Sequence, residues 1–166
     1  MDKSSSFDYH GYIRSLVSKN RLMQSLGFVS CTCTGLGGLE EVLDCLQTKA
    51  NIIATDDITP GQTVHNGGAW YNRRTFTLFI VMRYRFGDEE DRLSKLSTCR
   101  HIMRQIQSRL IHDSQQLMSE LTYIDVSKMA TTDLGASFLA GSTGMYLVFS
   151  VDEPTDLNYI SDEWDE

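Results

Sequence analysis

The sequence predicts an α+β domain: a mainly antiparallel sheet covered on one face by helices, with two long loops and an acidic C-terminal tail. Three observations carry this. From Phe76 the even positions, Phe76, Leu78, Ile80, Met82, Tyr84 and Phe86, are all apolar, while the odd positions are apolar only in the middle. Side chains alternate across a strand, so this run has one buried face and one partly covered face. Gly87 then stops the run, and Asp88, Glu89, Glu90 and Asp91 suit the positive end of a new helix. Two further β-prone runs, 121–129 and 145–151, follow that helix. Strands in runs with inserted helices are the mark of a helix-covered antiparallel sheet.

In chain order, residues 1–6 form a polar, disordered lead-in. Residues 7–25 read as one helix, with Tyr9, Ile13, Leu16, Val17 and Asn20 on one side and Gly27 as its stop. Residues 28–34 are β-prone, and Gly35-Leu36-Gly37-Gly38 breaks them. Residues 39–47 read as a short helix bearing Leu39, Val42, Leu43 and Leu46 on one face. Residues 51–55 read as a strand through Ile52 and Ile53.

The stretch 56–72 is a long connection with turn signals at Pro60-Gly61 and Gly67-Gly68, and it has room for a hairpin. After the strand from Arg73, the next helix carries Leu93, Leu96, Cys99, Ile102, Met103, Ile106 and Leu110 on an apolar stripe. Its opposite side, with His101, Gln105, Ser108 and His112, is polar but short of charge. Residues 121–129 alternate as a half-buried strand, 130–144 read as a loop holding Phe138 and Leu139, and 145–151 form the closing strand. The domain is 1–151 and the tail 152–166.

Length and composition narrow the function. A chain of 166 residues with 41% hydrophobic content makes one domain with a real core. No run reaches the roughly 20 apolar residues of a membrane span, and Met1-Asp2-Lys3-Ser4-Ser5-Ser6 lacks the apolar segment of a signal peptide. Four cysteines in such a chain do not form a disulfide framework, so they are read as reduced in a cytoplasmic protein. The net charge is −7, and residues 152–166 hold seven acidic groups and no Lys or Arg. The body is therefore balanced, with 15 acidic and 15 basic groups, which argues against direct nucleic-acid binding.

No motif with a defined reaction is present. Cys31-x-Cys33 is half of a zinc pattern, but Cys45 and Cys99 are single and no His pair has finger spacing. Buried small side chains account for the cysteines. The Gly35–Gly38 run precedes a helix without the Lys-Ser/Thr of a phosphate loop, so it reads as a turn. His65 lies near Asp56 and Asp57 in sequence, which allows an acid–base pair but supports a polar loop better. No catalytic, cofactor-binding or metal-ligating residue is assigned.

The candidate partner-binding residues fall in three places. Trp70, Tyr71, Arg73 and Arg74 combine aromatic and basic groups. His101 and Gln105 mark a helix face that a neighbouring chain could cover. Tyr159 and Trp164 stand among tail acids, a mixture that suits a docking segment.

The order of elements over residues 9–151 resembles the tail-terminator and tail-completion proteins, the head–tail joining components of long-tailed bacteriophages and prophages. The resemblance rests on the N-terminal helix, the long strand 73–86, the Asp88-Glu89-Glu90-Asp91 helix start, the glycine-bearing loop before the last strand, and the strands 121–129 and 145–151. The 39–47 helix and the acidic tail depart from that pattern. The resemblance implies a non-enzymatic structural protein that forms a ring with copies of itself, meets other tail or neck proteins, and needs no cofactor. It places the chain in the bacterial cytoplasm or the virion. Two other readings remain open from the residues. One is a small-molecule-binding or enzymatic domain using the 56–72 loop; the other is a cytoplasmic adaptor docking through its acidic tail.

Overall fold

The computed structural model describes residues 6–45, 51–135 and 141–164. Two long strands form its spine: β4 (Ala69–Arg83) and β7 (Ser142–Pro154), antiparallel over thirteen residue pairs from Tyr71↔Pro154 to Arg83↔Ser142. Short strands flank this pair on both sides. β2 (Asn51–Asp56) and β3 (Gly61–Asn66) pair with successive stretches of β4. β5 (Tyr123–Ile124) and β6 (Ala130–Asp133) pair with successive stretches of β7. β1 (Phe28–Cys33) lies outside β2, parallel to it, and completes a mostly antiparallel seven-stranded sheet among the described residues. The α+β class holds.

The even face of β4 is buried as the alternation requires. Phe76, Leu78, Ile80 and Met82 sit at 0–1% exposure in the main core, under α1 (Tyr9–Lys19), α2 (Arg21–Ser25) and α4 (Glu89–Ser119). Tyr9 packs its ring 4.5 Å from Phe76 and donates its hydroxyl to the Thr77 carbonyl at 2.6 Å. The odd face is covered as well. Phe79 and Val81 join Cys33, Ile52, Ala54 and Leu134 beneath Leu39 and Leu43 of α3 (Gly35–Cys45). Helices therefore cover both faces, not one. The reason is the β1–α3–β2 unit: two parallel strands need a crossover, and its helix lies on the face opposite the other three.

Several boundaries move for identifiable reasons. The 7–25 helix is two helices, because Asn20 turns its side chain to cap α2 through the Met23 N–H. The Gly35–Gly38 run is the first turn of α3 and not a break ahead of it. The predicted residues 46–47 of that helix lie outside the described residues, as do the lead-in residues 1–5 and Phe138 and Leu139. The 56–72 stretch contains the β3–β4 hairpin, turning at Gly67 and Gly68.

β4 stops at Arg83, so Phe86 stands 80% exposed where the alternation put it inside. Gly87 adopts φ +83°, and the Asp88 side chain caps α4 through the Asp91 N–H, as the acidic run predicts. Leu93, on the predicted stripe, is 51% exposed; burial starts at Leu96. α4 runs on to Ser119, and the predicted 121–129 strand shrinks to β5 followed by a 3-10 turn, Val126–Lys128. Part of the predicted 130–144 loop is β6. β7 extends to Pro154, so Asp152 and Glu153 belong to the sheet and not to the tail.

Candidate interaction surfaces

Arg73 and Arg74 project from neighbouring positions of β4, so they point to opposite faces of the sheet. Arg73 stands directly across from Asp152, and the two form a bidentate pair with both N–H···O distances at 2.7 Å. Arg74 reaches diagonally to Glu153, whose direct partner is Asn72, and bonds it at 2.8 and 3.1 Å. Arg74 also donates to the Phe7 carbonyl, while Glu153 accepts from the Phe7 N–H, which ties the lead into α1 to this corner. The side chains of all four charged residues are 15–28% exposed. Cross-strand pairs of this kind hold register as well as contributing a few tenths to about 1 kcal/mol each. The two arginines are thus committed inside the chain, and two of the seven acidic groups assigned to the tail are their partners.

Trp70 and Tyr71 sit further out on the same strand. Trp70 is 46% exposed, with the His65 ring 4.5 Å away across the hairpin. Tyr71 is half-buried, edge-on to Tyr123 at 5.9 Å. His65 does not meet the aspartates near it in sequence. Asp56 accepts from the N–H groups of Gly35 and Ile58, and Asp57 accepts from the Thr34 hydroxyl. The 56–72 stretch therefore presents a projecting hairpin with an aromatic end. The chain leaves the sheet beside it: the Thr155 N–H donates to the Trp70 carbonyl at 3.0 Å, and residues 154–158 lie against Gly68, Ala69 and Trp70.

His101 and Gln105 line a different feature, a groove of about 640 Å³ between α4 and the α1–α2 corner. Gln105 is half-buried and accepts from the Asn20 side chain at 2.9 Å, so part of the neutral face of α4 is used within the chain. Arg104 donates to His101 Nδ1 at 2.8 Å. Leu16, Met23 and Ile106 form the apolar floor. Lys19, Arg104 and Arg109 stand on the walls, and the lining includes no carboxylate. Just outside, Asp113 pairs with Arg109 at 2.7 Å and accepts from Tyr12 of α1 at 3.0 Å. Burial pushes the Asp113 carboxyl up, but hydrogen bonds from Arg109, His112 and Tyr12 outweigh it and hold it below the usual carboxylate range.

Sequence reasoning missed Lys19 and Arg104 as members of this site. Positions 101, 104, 105, 108 and 112 recur at helical spacing, a legible signal, but which helix end would face them is set by the Asn20 break between α1 and α2. Tyr159 and Trp164, the tail candidates, are 63% and 64% exposed and stack at 6.4 Å with planes 23° apart. Leu157 and Ile160 are each 51% exposed.

The four cysteines are free thiols. Burial raises Cys33 and Cys99 to about 12, with the nearby charges of Asp56 and Asp133 adding to it respectively. Among the described residues no cluster of three His, Cys, Asp or Glu side chains could hold a metal ion, and no helix is long and apolar enough to cross a membrane. Comparison with protein-family models finds no match to this chain, and comparison with curated proteins finds none either.

Proposed function

We propose that this chain is a non-enzymatic structural protein of phage or prophage tail assembly, a ring-forming tail terminator or head–tail joining component. The observation that supports this most is the corner where the β3–β4 hairpin and the C-terminal segment leave the body together. β3 pairs with β4 and is exposed along most of its length. Trp70 stands out from the hairpin, and Leu157, Ile160 and Trp164 stand out from the segment beside it. Exposed aromatic and apolar side chains grouped on projecting elements suit contact with other chains. Neighbouring tail or neck proteins would meet the same elements.

The enzymatic alternative draws less support, since His65 and Asp57 point to different partners. The adaptor alternative shares the exposed tail and differs in needing no self-association. Light scattering across a concentration and salt series separates them. A mass that settles at a fixed multiple of the chain mass supports the ring, and a strict monomer at every concentration counts against it.

A further inference from the structure

We propose that the acidic C-terminal segment of one copy docks in the groove between α4 and the α1–α2 corner of the next copy. This rests on the ring reading and supplies its contact. Charge is the first argument. With Asp152 and Glu153 paired to Arg73 and Arg74, residues 155–166 still carry five acidic groups and no Lys or Arg. Among the described residues no cation pairs with Asp156, Asp162 or Glu163. The groove is the complement: Lys19 and Arg104 face it without a carboxylate partner, and Arg109 stands beside them with its Asp113 pair.

Apolar matching is the second argument. Leu157, Ile160 and Trp164 are half or more exposed on the segment, with Trp164 stacked on Tyr159. The groove bottoms on Leu16, Met23 and Ile106, core side chains at 0–8% exposure that show only their edges to it, and its volume of about 640 Å³ falls in the range of cavities that accept a bulky group. An aromatic anchor on an apolar floor ringed by cations is how short acidic segments gain affinity and register.

Placement selects a second copy as the occupant. Residues 154–158 are held beside the hairpin at Gly68–Trp70, beyond the Arg74–Glu153 corner where the chain enters α1. The groove lies at the other end of α1, from Leu16 onward. Segment and groove are therefore two separate patches, and two separate complementary patches on one chain make a heterologous contact.

The test uses the full chain with two exposed substitutions, Trp164→Ala on the segment and Arg104→Glu on the groove, in sedimentation velocity. The native chain is expected to self-associate, and each variant alone to lose at least about tenfold in association constant. A mixture of the two retains one intact groove and one intact segment. It is expected to give a capped one-to-one dimer that grows no further, which neither variant gives alone. Variants that assemble like the native chain overturn the docking and leave the ring reading standing. A capped dimer from the mixture, with a native chain that grows without a mass plateau, supports the docking and sinks the ring. A native chain that is monomeric at every concentration overturns the docking and counts against the ring as well; a mixture without the dimer overturns the docking alone, because it means that positions 104 and 164 do not lie on the two halves of one contact.

Discussion

At the scale of single residues, Leu121 shows how one side chain hides a boundary. α4 ends in a complete Schellman motif: the Thr122 N–H reaches the Leu117 carbonyl at 2.9 Å and the Leu121 N–H reaches Met118 at 3.1 Å. The pivot of such a turn is normally Gly, because a side chain there crowds the carbonyl. Here it is Leu121, at φ +61° and 58% exposed. Leu121→Gly is expected to stabilise the chain by about 1 kcal/mol, measured by urea unfolding, since it relieves strain and removes little buried surface. A loss of stability would mean that the exposed side chain packs on something. The thiols give a second residue-scale outcome. Cys33 and Cys99 are buried with pKa values near 12, while Cys45 is exposed. Reagent reaches an exposed thiol first, so Cys45 is expected to alkylate in the folded chain, and Cys33 and Cys99, buried and held as thiols, only after unfolding. Mass spectrometry of the labelled peptides reads this directly.

At the scale of elements, the pattern is legible where one periodicity dominates and fails where contacts across the chain decide. The alternation from Phe76 to Met82 gave β4 its buried face, and Gly87 with its acidic run gave the start of α4. β6 was missed because Ala130–Asp133 is exposed along its whole length, so no burial alternation exists to be read. The end of α4 carries no glycine signal in the sequence, because Leu121 stands where Gly would mark it. Of the candidate sites, the aromatic end of the hairpin and His101 were legible from residue type. The pairing of Arg73 and Arg74 with carboxylates 79 residues away was not, because register over that distance leaves no local trace.

Two element contacts make sharp predictions. β4 and β7 approach so closely at Gly144 that a Cβ there would lie 2.0 Å from the Ile80 carbonyl oxygen, a backbone atom that cannot turn aside. Gly144→Ala is expected to cost about 3 kcal/mol and lower the melting temperature by about 6–12 °C. An unchanged melting temperature would refute the β4–β7 register. The α1–α4 contact at Asp113 carries a pH signature. Its folded pKa is depressed, so the stability it contributes is present above the unfolded carboxylate value of about 3.9 and is lost as pH falls through the folded value. Asp113→Asn is expected to lose about 1–2 kcal/mol at pH 7. The gap from the native chain should close below about pH 4. A gap independent of pH would assign the loss to packing instead of charge.

At the scale of the whole molecule, what folds the chain and what projects from it are separate sets of residues. Phe76, Phe149, Leu78, Ile80 and Ile102 are at 0–1% exposure and belong to the core that any assembly would leave untouched. Trp70 is at the other extreme, with about half its surface exposed and His65 as its ring neighbour. If the corner shared by the hairpin and the C-terminal segment makes the contact between copies, the two kinds of substitution must separate stability from assembly. Trp70→Ala is expected to cost no more than about 1 kcal/mol, the worth of its cross-strand pair with His65, while weakening self-association. Phe76→Ala is expected to cost about 3–5 kcal/mol and to lower assembly only in proportion to the folded fraction. Thermal unfolding and sedimentation on the same samples distinguish these outcomes. Equal loss of stability in both variants would show that the hairpin is part of the fold, and assembly unaffected by Trp70→Ala would take the hairpin out of the contact.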